Sequence, residues 1–318
     1  MTALDAAEAG PTAPPTVEGA VVPLPIRGTI RPPSLPVGIR PRSAFNRTLR
    51  RPAGAAGGSI LLLLITAAVL ASWLSPGDPL AITGTPFQPV GLASGHLFGT
   101  DSLGRDVLAG LLHGARVSLA VGASATVLGL AIGTLVGSLS GYFGGWIDAC
   151  LSRLVELFQT IPSFVLLVVL VAITTPTVAT VALGIGIVTW PQVARLVRAE
   201  FRSLRNRDFV MAARSLGFGH VRIITREILP NALPSLVVTG SVMLASAILM
   251  ESALSFMGLS DPNRVSWGSM IGAGREFLRT DAMLTALPGL AIMLTVLAVN
   301  MLGEAYNVAA NPRSDRAS

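Results

Sequence analysis

Long stretches without a single charged residue constrain this chain more than any other feature. They cover residues 57–74, 117–147, 157–194, 228–250 and 282–303. A helix that crosses a bilayer needs about 20 apolar residues. The 38-residue run 157–194 contains Thr174-Thr175-Pro176-Thr177, so it reads as two helices reversing at Pro176. Six spans result, at about 57–74, 117–140, 157–174, 177–195, 232–255 and 283–304. Only 13% of residues are charged, about half the share of a soluble domain. Six buried helices of a soluble protein would need polar outer helices, and none exist. The expected fold class is therefore an all-α integral membrane protein, with its membrane domain over 56–310.

All 23 basic residues are arginine. With the N-terminus inside, 18 of them fall in cytoplasmic segments and five outside, which predicts both termini in the cytoplasm. The outer loop is then 75–116, the main inner loop 196–231 and the C-terminal tail 311–318. Residues 1–55 hold ten of the 22 prolines and little periodic apolar pattern, so they read as a disordered cytoplasmic tail. The first apolar stretch begins only near residue 60, too late for a cleavable signal peptide. Arg47, Arg50 and Arg51 sit where they would meet anionic headgroups.

Several chemistries are excluded. Without lysine the chain builds neither a P-loop nor a Schiff base. Cys150 is the sole cysteine, so no internal disulfide and no cysteine metal cage form. His96, His113 and His220 do not share metal-ligand spacing. Ser124 lacks a histidine in any later span, which removes an intramembrane serine protease. The net charge of +6 suggests nucleic acid, but 5% aromatic residues and the apolar content leave no wetted basic face. A coupled carrier needs ionisable groups at mid-membrane depth. Only Glu251, near the outer end of the fifth span, and Glu304, near the inner end of the sixth, come close. The energy source of any pathway is therefore expected on another chain.

Two patterns stand out. Gly129, Gly133, Gly137 and Gly141 recur every four residues and share one helix face, a seam for close backbone approach that also permits sliding. In the inner loop, Asp208 suits an N-cap and Gly217 the left-handed position that ends a helix. Between them Phe209, Ala212, Ala213 and Leu216 form one apolar face, with Arg214 on the other side and Phe218 just past the end. A second short helical pattern runs from His220 to Ile228. An amphipathic helix between two spans either lies on headgroups or fits a groove on a soluble partner. Periodicity alone leans towards the membrane surface.

The segment Met211-Ala212-Ala213-Arg214-Ser215-Leu216-Gly217, with Leu229-Pro230 after it, resembles the cytoplasmic EAA loop of ATP-binding-cassette importer permeases. Met211 stands where the family has Glu, and Glu227 where it has Ile. Further segments are similar to the C-type permease of dipeptide and oligopeptide importers. These are Gly99-Thr100-Asp101-Ser102-Leu103-Gly104-Arg105-Asp106, His113 to Leu119, and Gly141-Tyr142-Phe143-Gly144-Gly145. Glu251 to Phe256, Trp267-Gly268, Pro288 to Ala291 and Asn311-Pro312-Arg313 complete the set.

The resemblance implies a type I importer fold in a bacterial cytoplasmic membrane. It also implies a paralogous B-type permease beside this chain, two cytoplasmic ATPase subunits below and an extracytoplasmic peptide-binding protein above. ATP and Mg would be used by the ATPases, with no cofactor on this chain. The coupling segment would be Asp208 to Phe218. The family also includes nickel and glutathione importers, and a secondary carrier is the runner-up. Apart from the resemblance, Asp101 and Arg105, four residues apart, are expected to pair on a helix face beside the second span.

Overall fold

A computed structural model describes residues 41–91 and 95–310. Its regular elements are helices: α1 (Pro41–Arg50), α2 (Pro52–Leu74), α3 (Val107–Phe143), α4 (Gly145–Thr160), α5 (Ser163–Ala172) and α6 (Val178–Leu204). Then follow α7 (Asp208–Ser215), α8 (His220–Arg222), a π-helical turn (Ile223–Ile228), α9 (Leu229–Phe256), α10 (Trp267–Gly274) and α11 (Met283–Ala310). Five helices are long and apolar enough to cross a membrane, and a sixth crossing exists only if α4 and α5 count as one span.

That pair corrects the third expected span. α4 and α5 meet at 78°, with the break at Ile161 and Pro162. A residue before proline is pushed out of the helical region, and Ile161 is extended (φ −95°, ψ 132°). The ten residues of α5 rise only about 15 Å, half a bilayer core. The second span is corrected too: α3 begins at Val107, ten residues before the uncharged run, and continues unbroken into it.

The expected tail of 1–55 also changes. Residues 41–50 form α1, and Pro52 takes the first turn of α2, where its missing N–H costs nothing. Thr48 is buried, its carbonyl set against Gly54, while Gly57 lies against the α11 backbone at Ala298. Packing on α11 supplies the order that composition did not suggest. Residues 1–40 and 311–318 of the expected tails lie outside the described residues.

α6 sits at the centre, with Ile185, Val193, Val197 and Phe201 at most 1% exposed. A side chain added to Gly133 or Gly137 of α3 would reach the α6 backbone, 2.7 Å from the carbonyl oxygen of Trp190 and 2.5 Å from that of Ala194. Gly141 likewise faces Arg198 and Phe201, while Gly129 meets Thr189 and Met243 of α9. In lipid no hydrophobic drive joins helices, so this close contact supplies van der Waals packing instead. α9 and α11 pack beside the pair, with Gly303 pressed on Ser241.

Candidate functional site

The expected inner loop 196–231 is mostly helical. α6 runs to Leu204, and from His220 the chain is helical into α9, leaving α7 hung between two short connections. Arg207, not Asp208, is the N-cap of α7; Asp208 is the first helical residue and its side chain caps nothing. An acid there still favours the positive end of the helix dipole. The C-terminus is a Schellman motif: Gly217 donates to the Arg214 carbonyl (2.9 Å), and Phe218 to that of Ala213 (3.1 Å). Gly217 has φ +78°, the left-handed region that side chains disfavour.

Burial divides α7 differently from the expected face. Val210 and Ala213, three residues apart, turn inward against Phe201, Ile223 and Ile228, with Phe218 packed on the same cluster. Of the four residues expected to share the apolar face, only Ala213 is buried. Phe209 is 38% exposed, Leu216 72%, and Met211 and Ala212 are also open. Sequence periodicity found an apolar stripe but not which part of it the chain itself covers. The inner residues anchor α7; the outer ones remain available. Burying one exposed Leu or Phe side chain is worth about 1.5–3 kcal/mol, so the open face has enough apolar surface to favour a partner.

Two polar joints brace this end. Asp148 of α4 accepts two hydrogen bonds from Arg198 of α6 (2.5 and 2.8 Å) and further bonds from Ser140 and Ser152. The bond from Arg198, helped by that from Ser140, holds the Asp148 carboxyl at about 2, below its ordinary 3.8 and against the opposing effect of burial. The second joint is Tyr142, buried in the last turn of α3, whose hydroxyl lies 2.9 Å from Nδ1 of His220. Arg214 lies over the Tyr142 ring at 5.5 Å. Neither joint was legible in the sequence, because Asp148 and Arg198 stand 50 residues apart and Tyr142 and His220 stand 78 apart.

The other end holds the remaining predicted residues. Asp101 and Arg105 form no side-chain pair: Asp101 accepts the backbone N–H groups of Leu103 and Arg105, both at 2.8 Å. The segment is a turn rather than a helix, with Gly99 and Gly104 at positive φ, and a carboxylate there satisfies its own turn. Asp106 is the N-cap of α3, accepting from Leu108 and Ala109, and stands 3.4 Å from His96. Thr100, buried and missed by the sequence reading, ties the turn to Thr85 and Gln88. Asp101, Arg105 and Asp106 line an open cleft of about 200 Å³ together with Asp261 and Arg264. Glu251 is 2% exposed and accepts from Ser118 of α3 (3.0 Å) and Ser255 (2.7 Å). Ser118 in turn accepts from the Trp267 backbone, so the carboxylate joins α3, α9 and α10.

Among the described residues no group of three His, Cys, Asp or Glu could hold a metal ion. The geometry is a bundle with a bracketed short helix at one end and polar turns at the other. A family model for the binding-protein-dependent transport system inner membrane component matches residues 133–316. The chain belongs to that family, as a multi-pass membrane protein. It is 36% identical over 285 residues to the di/tripeptide transport system permease protein DppC of Pseudomonas aeruginosa, covering 87% of this chain and 94% of that one. It is also 36% identical over 273 residues to the glutathione transport system permease protein GsiD of Pectobacterium atrosepticum, covering 86% and 91%. A chain of the inward-facing MetNI methionine ABC transporter shares the fold, with a TM-score of 0.54 at 20% identity over 64% of this chain and 96% of that one.

Proposed function

We propose that this chain is a permease subunit of an ATP-driven importer of dipeptides or oligopeptides, forming half of a translocation pore. The observation that carries the reading is α7, anchored by Val210 and Ala213 with Phe209 and Leu216 left open, in a chain so similar to a di/tripeptide permease. A short helix held this way transmits a push: a partner seated on its outer face moves the α6–α9 core through the inner one. The reading puts α7 in the cytoplasm, two ATPase subunits beneath it and an extracytoplasmic binding protein above the Asp101–Asp106 turns. ATP and Mg act on the ATPases, and this chain binds no cofactor and performs no chemistry. A paralogous permease completes the pore.

A second reading, import of glutathione, has support in equal identity to a glutathione permease. Both cargoes carry peptide bonds and free termini, so the shared chemistry is a short zwitterionic peptide. Uptake of labelled dialanine, trialanine and glutathione into proteoliposomes holding the full complex tests the assignment. ATP-dependent uptake of the first two supports it. Uptake of glutathione alone selects the second reading, and no ATP-dependent uptake of any of them overturns both.

A further inference from the structure

Between the last turn of α3 and α7 lies an open cleft of about 400 Å³, lined by Tyr142, Phe143, Arg205, Asn206, Arg214 and His220. Its lining contains two guanidinium groups, an imidazole and no carboxylate. Arg205 reaches only the carbonyls of Gly141 and Tyr142, at 3.4 and 3.5 Å. Arg214 rests on the Tyr142 ring. Neither makes an ion pair among the described residues, whereas Arg198 at the same end donates two hydrogen bonds to Asp148. Two arginines lining one cleft without an acid can receive a carboxylate through charge-assisted bonds.

We propose that this cleft is an anion site that receives an Asp or Glu side chain of the ATPase subunit seated on α7. The proposal rests on the coupling reading above and adds an electrostatic contact to its apolar one. Two features favour a protein carboxylate over a lipid headgroup. α6 ends at Leu204, about 15 Å beyond Ala194, the last residue of its uncharged run, with Arg205 as its C-cap, whereas headgroups occupy only about 5–8 Å on each side of the hydrocarbon core. The cleft is also lined by Arg214 of α7 itself, the helix on which the partner is seated, so one partner can reach both. Arg205 is held in place by the carbonyls at the negative end of α3, so little side-chain freedom is lost when the acid arrives.

The test uses the assembled permease pair in nanodiscs of neutral phosphatidylcholine, titrated with the purified partner ATPase. The double variant Arg205→Gln/Arg214→Gln should bind the ATPase about tenfold more weakly or worse. Its binding should also lose most of the wild-type sensitivity to added salt. Arg205→Lys/Arg214→Lys, which keeps both charges, should stay within a few-fold of wild type. Should the double glutamine variant fail to assemble, Arg214→Gln alone decides, since that side chain only stacks on Tyr142; it should still weaken binding several-fold. Unchanged affinity in neutral nanodiscs overturns the proposal. So does a loss that appears only when phosphatidylglycerol is present, which would make lipid the occupant. Leu216→Asp separates the two ideas: if it weakens binding while the arginine variants do not, the anion site falls and the coupling reading stands. If it binds like wild type, the coupling reading itself falls.

Discussion

The Tyr142 hydroxyl and Nδ1 of His220, 2.9 Å apart, join the end of the glycine-seamed α3 to the first residue of α8. Tyr142 is buried and His220 exposed, so the bond fastens the solvent-facing start of α8 to a buried side chain of α3. Tyr142→Phe keeps the ring contacts with Phe143 and His220 and removes only the bond, at a cost of about 0.5–1.5 kcal/mol. Assembly should survive. Amide hydrogen exchange over 218–223 should quicken, and substrate-stimulated ATP hydrolysis should fall. Exchange indistinguishable from wild type would show that the bond holds nothing.

Gly217 closes the Schellman motif at φ +78° with open space around it, so the difficulty with Gly217→Val is conformational, not steric. A β-branched residue is strongly disfavoured there. The variant should insert and assemble normally while transport and substrate-stimulated ATP hydrolysis are lost. Met211→Glu lies on the exposed side and should be tolerated. Coupled hydrolysis at wild-type levels in Gly217→Val would remove α7 from the coupling path.

At the α3–α6 seam, a Cβ on Gly137 would stand 2.5 Å from the Ala194 carbonyl oxygen and 2.8 Å from Val197 Cβ. Backbone cannot give way as a flexible side chain can, so Gly137→Val should destabilise by about 1–3 kcal/mol. Gly289→Ala, with nothing within 4 Å of its added Cβ, serves as the control. Thermal unfolding in detergent should separate the two; equal melting temperatures would mean that the seam adapts.

Asp148 gives a pH prediction with a definite sign. Its carboxyl sits at about 2 in the fold against an ordinary 3.8, so the folded state holds the charged form more strongly than the unfolded one. That contribution is complete above about pH 4 and is lost as pH falls towards 2. The stability gap between wild type and Asp148→Asn should therefore be constant near neutrality and close across that acid window. A gap that persisted at pH 2 would assign the effect to shape rather than charge.

Cys150 tests the orientation. It is the sole thiol and is exposed on α4, on the connection that the arginine distribution assigns to the cytoplasm. In right-side-out vesicles an impermeant maleimide should leave it unlabelled until the membrane is permeabilised. Rapid labelling from outside would invert the topology.

The spans and α7 were legible because each rests on local periodicity: charge-free runs long enough for a bilayer, and Gly217 placed where a helix must stop. Asp106, by contrast, caps α3 while its neighbour Asp101 satisfies a turn, and nothing in their spacing tells the two roles apart. The third span failed as a straight helix because hydropathy averages over Pro162, whereas backbone sterics do not.

What the sequence determined by itself is whatever depends on neighbours along the chain: apolar length, the glycine face of α3, the end of α7, and the absence of lysine chemistry. Tertiary structure decided the rest. It chose Val210 with Ala213 as the buried side of α7 and gave Phe209 and Leu216 to the outside. It brought Asp148 to Arg198 and Tyr142 to His220, and set Arg205 and Arg214 on the lining of one cleft. A helix presents all its sides at once in sequence, and only the position of the neighbouring helices determines which side is covered. Charges 50 residues apart likewise become partners only when two helices, here α4 and α6, are set side by side.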